Sequence, residues 1–422
     1  MKKIIKLFFI LVCLSSCKKY GANILMPLNG KVTDSIKGLE IQKNVPSLSL
    51  NISDAVNIPV PEHPTPFLMD DYISSYRYIH LETTDESLIG TISKLCVDSS
   101  FIFIFDRQNN GVFRFSKEGK FLGRIGRKGR GPSEFIELYD MSLDNYRREV
   151  CLLDLTGGKL LYYNYGGKYL REEPVYYYYT ALDFLDDKMV LSTTFSHNKR
   201  LPAIDRNRLV IARRDQQPLF KGFPYPDALR ENFHWEDARP LMKVGNTVYF
   251  HHILSDTIWS VHDSSCTAEY VLKFQGRDNL FTPKELNQLS DESYSKRISG
   301  TKYFLGIYLQ SRDFLLLNIS GDYRVVEPLI YCKSSGNILY GRASSASPAN
   351  SLCTRLLYNT FDFTFEDRSF IKVLQPFDVL RSVKLMKKDH SLPPLTERDH
   401  LFLKNLHEED NPVLMIVDLK KF

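Results

Sequence analysis

The 422-residue chain carries 55 lysines and arginines against 50 aspartates and glutamates, a net charge of +5. Its first sixteen residues hold three of the lysines and no acid, so removing them leaves 52 basic and 50 acidic residues, a net charge of +2. A protein so close to neutrality lacks the global positive field that nucleic-acid binding needs, and nucleic acid is excluded as an expected partner.

The N-terminus has the pattern of a secreted lipoprotein. Three lysines precede the apolar run at 7–14, which is too short to span a bilayer. The next residues, Leu14-Ser15-Ser16-Cys17, resemble a bacterial lipobox, in which the cysteine is acylated and becomes the new N-terminus. We predict a signal peptide at 1–16 and a lipid on Cys17; the alternative is an ordinary secretory signal with a chance cysteine.

Residues 17–70 are predicted to form a tether between the lipid and a folded domain. Residues 45–67 contain five prolines, and proline-rich segments stay extended. Acidic residues directly after the lipidated cysteine mark surface export in some bacteria, whereas this chain has Lys18 and Lys19 there. We therefore expect a cell-envelope protein on the periplasmic face of a membrane, held by its lipid alone, since no later run approaches about 18 apolar residues.

An internal repeat organises the rest of the chain. Within segments 101–125 and 150–174, residues match at a constant offset of 48, which aligns Asp106 with Asp154 and Gly119 with Gly167. Each copy consists of three short apolar or aromatic runs separated by polar turns, and a fourth run precedes each copy. Four strands in a period of 40–50 residues are typical of a β-propeller blade.

We predict an all-β fold, a six-bladed β-propeller of four-stranded antiparallel blades, over residues 71–422. Blades three to six centre on 181–222, 239–274, 302–341 and 355–420. Two short helical insertions are expected after Thr282 and Thr396, which have N-cap character. The strand at 75–81 is expected to pair with the last strand at 413–419, which would close the ring and remove two open sheet edges.

The glycine-rich basic stretch at 123–135 is predicted to be the crossover from the first blade to the second. It contains neither G-x-x-x-x-G-K-[ST] nor G-x-G-x-x-G, so nucleotide binding is excluded. Pro132 cannot donate to a ladder, which fits a position outside the strands.

Several segments carry a family resemblance. They are 76–98, 101–135, 246–261 with its Ser-Asp-Thr-Ile turn, and 408–422 with its terminal Asn-Pro strand. Together they resemble the six-bladed β-propeller lipoproteins of bacteria, which are similar in pattern to NHL-repeat propellers. The resemblance spans roughly residues 70–422. It implies a location in the cell envelope and no established enzymatic activity. The chain departs from the family at Ser133, where glycine is usual, and this indicates that the position does not need a positive φ.

The sequence predicts no metal site, no cofactor and no catalytic group. His251 and His252 are adjacent in a predicted strand and would point to opposite faces, while His197 and His234 lack the spacing of metal ligands. The five cysteines that remain after processing are widely spaced, and we expect buried free thiols; one disulfide stays open as the alternative.

Two features are candidates for ligand binding. One is the tyrosine run 176–179, in which Tyr177 and Tyr179 would share a face and could stack on a sugar or apolar ligand; the alternative is packing between blades. The other is the basic set in the crossover, for which the alternative is a solvated turn: Arg124, Arg127, Lys128 and Arg130. Arginines there could bind an anionic saccharide or a peptide carboxylate.

The expected function is a non-catalytic binding or interaction module anchored in a membrane, with a saccharide, a peptide or an envelope protein as partner. The alternative is a hydrolase or lyase with its active site at the mouth of the central channel. Because the propeller fold hosts both classes, the fold cannot decide between them.

Overall fold

A computed structural model describes residues 44–195, 198–232, 239–320, 325–342, 351–357 and 360–422. The predictions for the signal peptide, for Cys17, and for His197 and His234 lie outside these residues.

Six four-stranded antiparallel sheets form the blades of a propeller, as the sequence predicts. Blades 1 to 3 follow each other along the chain. Blade 1 consists of Ile92–Val97, Phe101–Asp106, Gly111–Ser116 and Phe121–Arg124. Blade 2 consists of Leu138–Asp144, Glu149–Asp154, Lys159–Asn164 and Tyr169–Pro174. Blade 3 consists of Ala181–Leu185, Lys188–Ser192, Asn207–Arg213 and Pro218–Pro224. In each blade the first strand is the inner one and the fourth is the outer one.

Blades 4 to 6 complete the ring. Blade 4 consists of Leu241–Val244, Thr247–Phe250, Thr257–Val261 and Ser265–Lys273. Blade 5 consists of Tyr303–Gln310, Phe314–Ser320, Val326–Cys332 and Ile338–Tyr340. Blade 6 consists of Phe363–Phe365, Ser369–Leu374, Val413–Leu419 and Ile73–His80. The short strands Arg127–Lys128 and Glu134–Phe135 lie between blades 1 and 2.

The hydrophobic core is divided among the interfaces between neighbouring blades. Phe103 and Leu152 pack between blades 1 and 2, for example, and Ile104 and Ile416 pack between blades 6 and 1. Strands covered on both faces read as continuous apolar runs, and this explains why segments such as Phe101–Asp106 show so little alternation.

The predicted closure of the ring is confirmed. Val413–Leu419 pairs antiparallel with Ile73–His80, with Leu414 opposite Ile79 and Ile416 opposite Arg77. The last strand of the chain and a strand from its N-terminal part thus share one blade. This arrangement removes the two sheet edges that an open ring would expose.

The described residues contain six α-helices rather than two insertions. The predicted caps are present: Thr282 and Thr396 each form a capping box, with Glu285 and Asp399 respectively. The first predicted insertion is divided in two because Ser290 caps a second helix. The helices are Asp227–Asn232, Pro283–Leu286, Asp291–Ile298, Leu352–Leu357, Pro376–Lys388 and Glu397–Lys404.

All of these helices lie on one face of the ring. Strands alternate in direction within a blade, so the crossovers between blades emerge on the same side as the connections between second and third strands. Every helix falls in one of these two kinds of connection. We call this side the crossover face.

The last part of the predicted tether is instead attached to the propeller. Ser49–Asn51 and Val56–Pro59 pair in parallel with the outer strand of blade 4, and Leu48 N donates to Lys221 O in blade 3. Ile58 is fully buried there. The outer strand offers unpaired backbone groups, and an extended segment next to it satisfies them. The proline content of this region therefore indicates an extended conformation but not a free tether.

Candidate functional site

The stretch at 123–135 forms the crossover between blades 1 and 2, as predicted. Arg127–Lys128 pairs in parallel with Glu134–Phe135, and Gly129 N donates to Phe135 O. The expectation for Ser133 is wrong, because its φ is +62°. Tyr163 Oη donates to the carbonyl oxygen of Ser133 at 2.7 Å, and this bond from blade 2 stabilises the left-handed conformation that glycine would adopt more easily.

The four basic residues of this crossover are exposed and have different partners. Arg124 Nε donates to the carbonyl oxygen of Glu86 at 2.8 Å, and its guanidinium lies over the Phe113 ring. Arg127 Nε pairs with Glu134 Oε1 at 2.7 Å, although the Arg127 side chain is 79 % exposed. These contacts fit a solvated turn, and ligand binding by this set stays a prediction.

Replacing Arg127, Lys128 and Arg130 together with serine is expected to change the free energy of unfolding by less than about 0.5 kcal/mol, because exposed charges contribute little. Gly129→Val is expected to cost about 1 kcal/mol or more, since a Cβ at Gly129 would lie 2.0 Å from Glu134 Oε2, which the Gly131 N–H holds in place. Thermal melts of both variants measure this difference. Unfolding of the triple variant would contradict the solvated turn.

Tyr177 and Tyr179 lie in the crossover from blade 2 to blade 3 rather than in a strand. They are 2 % and 0 % exposed, and their rings pack edge to face at 5.7 Å. Tyr179 Oη donates to Gln216 Oε1 at 3.2 Å. Burial within the core between these blades favours the packing alternative, because a buried ring has no free face for a ligand.

The histidines and cysteines show no arrangement for chemistry. His251 and His252 follow the strand Thr247–Phe250, and His251 Nε2 lies 2.9 Å from the Ser255 carbonyl oxygen. Within the described ranges, no group of three or more potential ligands could hold a metal. The five cysteines there are free thiols, as predicted, and burial raises the pKa of Cys96 to about 12.

Side-chain contacts tie the inner strands of blades 1 to 4 together around the channel. Lys94 Nζ pairs with Asp140 Oδ1 at 2.8 Å, and Asp140 Oδ2 accepts from Leu182 N. Ser142 Oγ donates to Asp183 Oδ1 at 3.2 Å, and Lys243 Nζ donates to the Phe184 carbonyl. Each of these polar groups bridges neighbouring blades, which gives it a structural role.

A cavity that opens to solvent lies between blades 5 and 6. Its walls are mainly apolar. One wall is a face of blade 5, and the other comes from the chain before blade 6, the helix Leu352–Leu357 and the segment near Phe67. The apolar lining residues are Phe67, Met69, Ile307, Leu309, Leu316, Leu317, Leu329, Ile330, Leu357 and Phe361.

An irregularity in blade 5 shapes one wall of the cavity. The register shifts between Phe304 and Tyr308, so that three residues of the inner strand oppose Asn318 alone. Gly306 has a φ of +75° within this bulge. The bulge re-aims the inner strand, and Ile307, which is 50 % exposed, lines the cavity together with Asn318.

Arg239 and Asp362 are the charged residues among the described residues of the cavity wall. Each lies just before the inner strand of its blade, on the crossover face. A guanidinium N–H of Arg239 donates to the main-chain carbonyl of Asp362, and the guanidinium lies 4.2 Å from the centre of the Phe363 ring. Burial lowers the pKa of Arg239, but an arginine side chain stays protonated in proteins.

The carboxylate of Asp362 is bound by other groups. Val373 N donates to Asp362 Oδ2 at 2.8 Å, and Lys372 Nζ lies 3.4 Å from the same oxygen. Lys372 also donates to Thr360 Oγ1 at 3.0 Å. The cavity wall also contains the buried hydroxyl of Thr354. This hydroxyl has no hydrogen-bond partner in the described parts of the chain.

No pattern in the sequence indicates this cavity. Its lining residues come from segments near residues 67, 239, 307–309, 316–318, 328–330 and 354–362, and no motif links them. Arg239 lies between Ala238 and Pro240, where nothing in the sequence distinguishes it from a surface arginine.

One solved structure shows the same fold, and a second has a weaker similarity. A protein from Bacteroides fragilis, described as a "putative exported protein", is 20 % identical, with a TM-score of 0.70, and the match covers 87 % of this chain and all of that one. A member of the duf4221 family from Bacteroides vulgatus is 8 % identical over 82 % of this chain and 97 % of the other, with a TM-score of 0.47.

No curated protein matches the sequence. In the described part of the chain, no helix is long and apolar enough to cross a membrane. The profile of one family, described as Domain of unknown function (DUF4934), matches residues 55–418, which is nearly all of the propeller. The chain belongs to the DUF4934 family.

Proposed function

We propose that this protein is an envelope lipoprotein, anchored through Cys17, whose propeller binds a small ligand or peptide without transforming it. The lipobox-like sequence at 14–17 supports the anchor. The name of the Bacteroides fragilis protein describes it as exported, which supports a location outside the cytoplasm.

The cavity between blades 5 and 6 carries the binding function. Ligand sites are typically concave and mainly apolar, with a few polar groups that fix orientation. The cavity meets this description, with Arg239, Asp362, Thr354 and Asn318 among its apolar walls. Aliphatic walls suit an apolar side chain better than a sugar ring, so we favour a peptide or similar ligand over a saccharide.

A ligand screen on the non-acylated mature chain, residues 18–422, tests this function. Apolar peptides and glycans are ranked by the rise in melting temperature that a bound ligand causes. Ile307→Trp is expected to abolish binding, because a larger side chain at this exposed position obstructs the cavity. Leu88→Trp is the matched control, since Leu88 is 49 % exposed and does not line the cavity. Equal binding by the two variants would place the ligand elsewhere.

The anchor gives a separate prediction. Cys17→Ala removes the acylated thiol, so we expect the protein to leave the membrane fraction or to stay unprocessed at its full length. Fractionation followed by mass measurement of the N-terminus distinguishes these results from normal processing. Unchanged membrane association with normal cleavage would contradict the lipid anchor.

A further inference from the structure

We propose that the ligand of this cavity is an apolar monocarboxylate and that Arg239 binds its carboxylate group. The inference rests on the proposed binding function and specifies the chemistry of the ligand.

The first argument is the unbalanced charge of Arg239. Within the described ranges, no carboxylate oxygen lies at ion-pair distance from its guanidinium, and its hydrogen bond goes to the neutral main-chain carbonyl of Asp362. A guanidinium has five N–H donors, and a charge removed from water is costly unless it is paired. An anion in the cavity would supply the missing partner.

Asp362 does not supply this partner. Its Oδ2 atom accepts from Val373 N and lies 3.4 Å from Lys372 Nζ, so its negative charge is matched on the side of blade 6. Lys372 is engaged in turn by Asp362 and Thr360. Among the described residues of the cavity wall, Arg239 is therefore the cation with donors left for a ligand.

The second argument concerns the kind of anion. The Arg239 guanidinium is planar and lies against the Phe363 ring, and this arrangement suits bidentate binding of a planar carboxylate. A single guanidinium carries one positive charge, which matches a monoanion better than a dianion such as a phosphate monoester.

The third argument is the remainder of the cavity. Beyond the two charged residues, its walls include Leu309, Leu316 and Leu357. Burying an aliphatic or aromatic body against such walls is favourable in proportion to the apolar area removed from water. The ligand therefore combines one carboxylate with an apolar body, as in a fatty acid or in the free C-terminus of a peptide that ends in apolar residues.

Decanoate and decanol are the probes, because they share a chain and differ in the charged group. Calorimetric titration of the mature chain is expected to give at least about tenfold tighter binding of decanoate, the effect of a charge-assisted hydrogen bond. Arg239→Gln is expected to remove this preference and to keep decanol binding. Arg381→Gln is the control, since this arginine lies exposed on the helix Pro376–Lys388.

Arg239→Lys provides a second variant should the glutamine variant fail to fold. It keeps the charge but loses the planar donor pair, so the preference for decanoate is expected to fall without vanishing. A tripeptide of leucines and its C-terminal amide test whether the carboxylate can come from the free C-terminus of a peptide. A preference for the free acid that depends on Arg239 supports the same inference.

The outcomes separate the two proposals. Equal affinities of the parent protein for decanoate and decanol, with both blocked by Ile307→Trp, would overturn the role of Arg239 and leave the binding function standing. A decanoate preference that survives Arg239→Gln would also overturn the inference. If none of the four probes binds, the cavity is not a site for apolar ligands and both proposals fail.

Discussion

Deletion of residues 413–422 is expected to abolish cooperative unfolding of the propeller. The deletion removes Val413–Leu419, whose first five residues are all buried, from the middle of blade 6. Ile73–His80 then loses its only partner strand within the described sheets, and Ser369–Leu374 gains an open edge. The cores on both sides of blade 6 also lose side chains, among them Leu414 and Met415.

The size of this effect follows from the closed ring. Full burial of a large aliphatic side chain contributes about 1.5–3 kcal/mol, so removal of five such side chains costs about 7.5–15 kcal/mol, as much as the 5–15 kcal/mol that typically stabilises a domain. Thermal melts followed by circular dichroism measure the transition. Leu401→Ala, at an exposed site on the helix Glu397–Lys404, serves as the control and should melt like the parent. A sharp transition in the deleted protein would show that the ring holds without its closing strand.

Asp154→Ala is expected to lower the free energy of unfolding by about 3 kcal/mol or more. The fully buried carboxylate of Asp154 accepts hydrogen bonds from the main-chain N–H groups of Ile136, Glu137 and Gly157, at 2.8, 3.2 and 2.7 Å. It thereby joins the crossover from blade 1 to the turn in blade 2. Alanine leaves three partly buried main-chain donors without this acceptor, and a fully buried donor without a partner costs about 1–3 kcal/mol.

The same substitution at an exposed aspartate provides the control. Asp187 pairs with Lys188 at the surface, and its side chain is 74 % exposed, so Asp187→Ala should change stability by less than about 0.5 kcal/mol. Urea unfolding of both variants gives the comparison. A loss below about 1 kcal/mol for Asp154→Ala would mean that water replaces the carboxylate and that the crossover does not depend on it.

The internal repeat that predicts the fold has its physical cause in these aspartates. Asp106 is buried in blade 1 and accepts from the N–H groups of Gly90, Thr91 and Asn109, as Asp154 does in blade 2. The repeat is visible in the sequence because blades 1 and 2 each use a buried aspartate to hold the segment that precedes their first strand. The helix caps were predictable because they depend on residues that are close in sequence. The closing strand was predictable because it follows a simple pattern.

Other features depend on contacts that no local pattern contains. The helix Pro376–Lys388 has no side-chain cap at Gln375, so its start is marked only by Pro376 at the first helical position and Asp378 in the first turn. Ser133 adopts a positive φ because Tyr163, thirty residues away, holds its carbonyl. The extended residues before position 60 find their partner in blade 4, more than 200 residues later. The cavity is assembled from segments that only the closed ring brings together.

A crystal structure of the protein soaked with decanoate is the most direct test of a ligand site between blades 5 and 6. We expect electron density for the ligand in this cavity, with a carboxylate oxygen about 3 Å from a guanidinium nitrogen of Arg239 and the aliphatic chain against Leu309 and Leu316. An empty cavity at a concentration that saturates binding in solution, or decanoate bound at another place on the propeller, would contradict the account.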